Sequence, residues 1–272
     1  MIVSAAAQSG ILVSHTDGVA RLTLNRPGRG NSLTPGLLDA LSQALQDAAG
    51  TARAVVLSGT GSCFSSGGDV AAIREHNTSA EDLQTYSDAL VGGLNRVLLQ
   101  LRALPCPVIA AVNGPVTGGS LGLVLAADLS LMVRTAFIQP YYAQMGFAPD
   151  GGWTALLPDR IGRARTARWL ALDQRVSADE ALEMGLIDQL AEPADFDQAL
   201  TDMLARLEAH DASVIATSRQ LLDAQAGPGG LAGRLDAERQ AFLIQVARPQ
   251  TRVRMDRFLG GSSKPAEVEA HA

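Results

Sequence analysis

Apolar positions along the chain change period several times, and each change marks a new element. The β-branched runs ILVSH and VARLTLN are separated by Thr-Asp-Gly, the composition of a tight hairpin. Thr34 followed by Pro35 supplies a cap and a first-turn proline, which predicts a helix through about Ala49. ARAVVLSG, PVIAAVNG and LSLMVR are short apolar runs of the buried-strand type. Leu83, Tyr86, Leu90, Leu94, Val97, Leu98 and Leu101 mark one face of a long helix, Ala80 to Arg102, that ends before Pro105. GGSLGLVLAAD reads as a small-residue helix enclosed by the fold. Strands alternating with helices predict an α/β core.

Beyond about Leu190 the strand-like runs stop. DFDQALTDMLARLEAH, SVIATSRQLLDAQA and LAGRLDAERQAFLIQVA read as three helices, and the tail GGSSKPAEVEAHA is expected to fray. A boundary near residue 195 therefore separates an α/β body, residues 1–195, from a helical region, residues 196–272.

Composition narrows the function. With 272 residues, 47% of them hydrophobic, the chain can bury a large core. The net charge is −6 with both signs interspersed, which argues against nucleic acid and against an anionic membrane surface as partners. An anionic ligand would need local recognition. No apolar run reaches the roughly 18 residues of a membrane span. The opening MIVSAAAQSG lacks the pattern of a secretion signal, so Cys63 and Cys106 are expected to be free thiols of a cytoplasmic protein. His15, His76, His210 and His271 are scattered, which predicts no built-in metal.

The candidate chemistry lies in two glycine stretches that each follow a strand, Ser65-Ser66-Gly67-Gly68-Asp69 and Thr117-Gly118-Gly119-Ser120. Bare backbone lets a ligand come close and leaves N–H groups free to meet an oxygen. Two such loops aimed at one carbonyl oxygen would form an oxyanion hole. The plainer alternative is a pair of tight turns in a compact fold. Gly118-Gly119-Ser120-Leu121-Gly122 also spells G-x-S-x-G, the elbow of serine hydrolases, which would make Ser120 a nucleophile. Against that, five residues separate it from the preceding strand, and only His210 and His271 follow it.

LTLNRPGRGNSL, CFSSGGDV, PVIAAVNGPVTGGSLGLVLAADLSL, MGFAPDGGWTALLPDRIGRARTARWLAL and SADEALEMGLID, in that order, resemble the crotonase superfamily of enoyl-CoA hydratases and isomerases over roughly residues 11–260. The resemblance implies a spiral of ββα units, a C-terminal helical region that assembles homotrimers or homohexamers, and an acyl-CoA thioester substrate with no separate cofactor. It places the two oxyanion-hole N–H groups on Gly68 and Gly119. Ser66, Gly68, Asp69, Val70 and Ala71 fall in the loop that lies along coenzyme A, and Arg29 falls where a basic residue meets its phosphates.

The departures from the family pattern are specific. The two positions at which the family's hydratases carry glutamate are Gly122 and Tyr142 here. Water addition needs one group to activate water and another to protonate carbon, so their loss argues against efficient hydration. The family's dehalogenases use a histidine on the long helix, and Asp82 to Arg102 contains none. Asp150 matches an active-site aspartate of some isomerases and dehalogenases. In an apolar pocket walled by Tyr141, Tyr142, Phe147 and Trp153, one carboxylate can take a proton from the substrate and return it two carbons away. Asp150 also has the sequence context of a helix N-cap, which would favour its charged form. Tyr142 is read as pocket lining or a proton donor, Asp128 and Trp169 as structural. The favoured activity is enoyl-CoA isomerisation. The alternatives are a hydratase with atypical residues, a non-catalytic acyl-CoA binder, and the serine hydrolase.

Overall fold

The computed structural model describes residues 2–4, 10–224 and 229–260. Its strands are β1 (Ile2–Ser4), β2 (Ile11–Thr16), β3 (Val19–Leu24), β4 (Ala54–Gly59), β5 (Val108–Val112), β6 (Val116–Thr117), β7 (Leu129–Val133), β8 (Phe137–Gln139), β9 (Val176–Ser177) and β10 (Gln189–Ala191). Its α-helices are α1 (Pro35–Ala49), α2 (Val70–Glu75), α3 (Ala80–Ala103), α4 (Leu121–Leu125), α5 (Tyr142–Met145), α6 (Leu157–Ile161), α7 (Arg163–Leu172), α8 (Ala178–Glu183), α9 (Phe196–Glu208), α10 (Ala212–Ala224), α11 (Gly230–Val246) and α12 (Pro249–Gly260).

The large sheet runs β1-β2-β3-β4-β5-β7-β10, and a small one runs β6-β8-β9. The β2–β3 hairpin turns on Asp17 and Gly18, both at positive φ (51° and 75°), as a two-residue turn between twisted strands requires. From β3 to β10 the large sheet is parallel. Its alternate residues go to opposite faces. Val55, Leu57, Val108, Ala110 and Val112 join the main core with α1 and α3, whereas Val56, Ile109 and Ala111 meet Leu200, Met203 and Leu204 of α9. Covered on both faces, β5 is buried at every residue, which is why its sequence is an unbroken apolar run.

Thr34 caps α1 as its sequence predicts, its hydroxyl accepting from the Leu37 N–H at 3.3 Å. The small-residue segment is shorter than its pattern predicts: a 3-10 turn, Gly118–Ser120, leads into the five residues of α4. The reason is Asp128, whose carboxylate accepts the Val108 N–H at 2.8 Å while its own N–H reaches the Val108 carbonyl, tying the chain to β5. Asp128 also pairs with Arg219 of α10, which fits its structural reading.

The C-terminal helices pack against the body. Leu231, Leu235, Phe242 and Val246 of α11 and Met255 of α12 belong to the main core. The helix α12 corrects the three-helix reading. Only Thr251 and Met255 of PQTRVRMDRFLG are buried, so its sequence carries almost no apolar stripe. The expected fraying of residues 261–272 lies outside the described residues. Among the described residues, no helix is long and apolar enough to cross a membrane.

Candidate active site

The two glycine stretches lie side by side. The Ser65 N–H donates to the Pro115 carbonyl and the Thr117 N–H to the Ser65 carbonyl, 3.2 and 3.1 Å, a short parallel bridge between the loops. On its other flank the first loop is pinned by Leu33 N–H to the Gly67 carbonyl (2.7 Å) and Asp69 N–H to the Leu33 carbonyl (2.9 Å). Gly68 lies between those two bonds, so its own N–H points to the opposite side from Leu33. Gly67 has to be glycine: φ is +79°, and a Cβ there would stand 2.6 Å from the Thr117 carbonyl oxygen. Gly119 sits in the first turn of the 3-10 segment, where N–H groups have no intrahelical acceptor. Among the described residues, neither the Gly68 nor the Gly119 N–H has an assigned protein acceptor outside regular structure. Both glycines line one cavity of about 540 Å³.

Asp150 lines the same cavity and is 7% exposed. A Cβ on Gly119 would lie 3.0 Å from both of its carboxylate oxygens, so the acid and this glycine are in direct contact. The Tyr142 hydroxyl donates to Asp150 Oδ1 at 2.6 Å, whereas Oδ2 receives no hydrogen bond from another described side chain. Burial pushes the Asp150 pKa up to about 7; the Tyr142 bond opposes the shift and the nearby Glu238 charge adds to it. Burial first, then the Asp150 charge, holds the Tyr142 phenol well above its ordinary range, so it stays a donor.

The N-cap alternative for Asp150 fails. Residues 151–156 form turns, and the next helix begins at Leu157. What holds this segment is Glu238 of α11, whose carboxylate accepts the N–H groups of Gly152, Thr154 and Ala155. Trp153, fully buried, donates its indole N–H to the Gly118 carbonyl at 2.8 Å and so ties the acid's turn to the second glycine loop.

The two positions without glutamate are closed in different ways. A Cβ on Gly122 would stand 2.3 Å from the Gly151 carbonyl oxygen, so main chain fills that place. Tyr142 fills the other and spends its hydroxyl on Asp150.

Arg29, exposed at the rim of the cavity, has no ion pair among the described residues and can meet an anion there. Ser66 is also exposed at the rim, and Val70 and Ala71 open α2 beside it. The Asp69 carboxylate is committed inward: it caps α2 through the Ala72 N–H, pairs with Arg26 at 3.0 Å and accepts from Ser32. Burial alone would raise its pKa, but these bonds outweigh burial and hold it below the ordinary value. Asp69 therefore shapes the loop, and its carboxylate is already committed to protein partners.

Sequence reasoning missed Glu238, Phe242, Phe258 and Leu259, the last three of which line the cavity from α11 and α12. Phe242 tilts against Phe147, and Phe258 packs edge-on against Tyr141, which is held at φ 62°. These residues come from the far end of the chain, and no local pattern links them to the glycine loops. Ser120 is no nucleophile. It is fully buried, and its hydroxyl is bonded to the Ser65 and Thr117 carbonyls at 3.0 and 2.7 Å.

Parallel strands feeding two converging glycine loops, sealed by C-terminal helices, define a crotonase-type acyl-CoA fold. The profile of the family described as Enoyl-CoA hydratase/isomerase matches residues 14–261. A 4-chlorobenzoyl coenzyme A dehalogenase from Arthrobacter is 32% identical over 201 residues, 73% of this chain and 72% of that protein. A Rhodobacter capsulatus protein named "Probable enoyl-CoA hydratase" is 32% identical over 223 residues, 82% of each. The crystal structure of an enoyl-CoA hydratase from Mycobacterium avium subsp. paratuberculosis superposes with a TM-score of 0.82 at 28% identity, covering 93% of this chain and 96% of that one. The chain belongs to the enoyl-CoA hydratase/isomerase family, within the crotonase superfamily.

Proposed function

We propose that this enzyme moves the double bond of an enoyl-CoA from the 3- to the 2-position. The Asp150 carboxylate takes a proton from the carbon next to the thioester. The electron pair delocalises onto the thioester oxygen, held by the Gly68 and Gly119 N–H groups. The protonated acid then returns its proton two carbons further on, which leaves the double bond conjugated. No water and no second acid are consumed.

The observation that carries this reading is the placement of one buried carboxylate, with a pKa near 7, in contact with Gly119. A base poised near the working pH can both accept and return a proton. Hydration is less well served, because Gly122 and Tyr142 leave no second carboxylate. Dehalogenation, the activity in the name of the Arthrobacter relative, lacks the histidine on α3.

Asp150→Asn tests the reading. Conversion of a 3-enoyl-CoA to its conjugated isomer should fall about 10²–10⁴-fold, while binding of a saturated acyl-CoA changes little. Full turnover in the variant would remove Asp150 from the mechanism. Conversion of a 2-enoyl-CoA to its 3-hydroxy product by the wild type would favour a hydratase. Binding without any turnover would favour a non-catalytic binder.

The quaternary proposal is a homotrimer or homohexamer built through the helical region. Leu221 and Leu222 of α10, Ile244 of α11 and Val253 of α12 are 58–68% exposed, more apolar surface than a solvated helix set needs. Light scattering should give three or six chains per particle, and a monomer would contradict it.

A further inference from the structure

Glu238 lies on α11, outside every glycine motif, and is 4% exposed. Its Oε2 accepts the Gly152 N–H at 2.7 Å. Its Oε1 accepts the Thr154 N–H at 2.5 Å, the Ala155 N–H at 2.8 Å and the Thr154 hydroxyl at 2.7 Å. Four donors converge on an acceptor. Burial raises the Glu238 pKa and these four bonds oppose that rise; four donors with no acceptor among them fit the ionised carboxylate, since a protonated one would need an acceptor for its own hydrogen.

The segment it grips has no regular structure. Residues 151–156 are turns in which the Trp153 and Leu156 N–H groups reach the Asp150 and Gly152 carbonyls, while those of Gly152, Thr154 and Ala155 take the Glu238 carboxylate as their acceptor. The same segment makes the closest backbone approach at the site: a Cβ on Gly151 would lie 2.3 Å from the Gly119 carbonyl oxygen.

We infer that Glu238 is a positioning residue for Asp150, gathering the turn that follows the acid, pressing it onto the Gly119 loop and setting a fixed negative charge behind it. The inference rests on the reading of Asp150 as the group that moves the proton. Two consequences separate the roles of bond and charge. Losing reach loosens the turn and slows chemistry. Losing charge removes a like-charge repulsion from Asp150 and makes it ionise more readily.

The surroundings leave this effect visible. Tyr142 from α5 is the other titratable group that bears on Asp150, and its bond acts in the opposite direction. Leu94 of α3 and the glycine loops bring no charge to the contact. The α11 arginines are engaged elsewhere, Arg234 with Asp159 and Arg239 with Asp88 and Asp236.

The test follows the Asp150 carboxyl by carbon NMR of aspartate-labelled protein, with its resonance identified by loss in Asp150→Asn. In Glu238→Gln the Asp150 midpoint should fall by about one pH unit or more, and the acid limb of turnover should move with it. In Glu238→Asp, which keeps the charge and shortens the reach, the midpoint should stay near that of the wild type while kcat falls about 10-fold. An unmoved Asp150 midpoint in folded Glu238→Gln overturns the inference. If that variant does not fold, amide exchange of the wild type decides: the Gly152, Thr154 and Ala155 N–H groups should be strongly protected, and exchange at free-peptide rates overturns it. Because the NMR midpoint is read without turnover, it stands apart from the acid–base reading, which fails instead if Asp150→Asn stays fully active.

Discussion

The two sides of the cavity are made of different material. One side is main chain: Gly68 and Gly119 offer N–H groups from two loops whose register is set by the bridge between Ser65 and Val116. The other side is side chains: Asp150 is steadied by Tyr142 and by the Glu238-bound turn, with Phe242 and Phe258 arriving from α11 and α12. Main chain held by a sheet gives fixed dipoles that need no reorganisation as charge develops. Side chains held by helices give a group whose affinity for a proton can be tuned.

The sharpest test of the main-chain side is Gly67→Ala. It forces a Cβ to 2.6 Å from the Thr117 oxygen at φ +79°, so both loops must shift. Strain of about 1–3 kcal/mol should lower the melting temperature, and turnover should fall about 10²-fold through the displaced Gly68 and Gly119 donors. Wild-type melting and turnover would show that the loops do not depend on each other.

Tyr142→Phe tests the side-chain side with a smaller effect. The phenol donates to Asp150 and favours its ionised form, so its loss should raise the Asp150 pKa above 7. Turnover at pH 7 should drop about 3- to 10-fold, and most of it should return at higher pH because the base is then ionised again. A pH profile that moves the other way would contradict the assignment.

Arg29→Ala should be the mildest. An exposed cation facing phosphates is worth about 0.5–1 kcal/mol, so acyl-CoA binding should weaken about 2- to 5-fold at low salt, with kcat unchanged. The difference should vanish at high salt. A weakening that persists there would give Arg29 a role beyond charge.

The main-chain side was legible in the sequence, and the side-chain side only in part. The two glycine stretches are visible in the sequence, and the resemblance of five ordered motifs to the crotonase superfamily places the oxyanion-hole N–H groups on Gly68 and Gly119 before any coordinates. Strands β2, β3, β4, β5 and β7 and the Thr34 cap were equally readable, because each rests on a local period or cap, whereas β1, β6, β8, β9 and β10 are too short to show a period. Asp150 was different. APDGGW suits both a helix cap and an irregular turn, and the choice is made by Glu238, which approaches from α11. The helix α12 escaped because it packs on two residues and shows the rest to solvent. Long-range contacts of this kind leave no periodic trace.

Main chain occupying the site of a missing carboxylate has a consequence for how this scaffold can change. At Gly122 the Gly151 carbonyl stands where a side chain would begin. Placing a glutamate there would demand a coordinated rebuilding of the segment that carries Asp150. A single substitution at this position therefore cannot bring a second carboxylate to the cavity unless the turn after Asp150 moves as well.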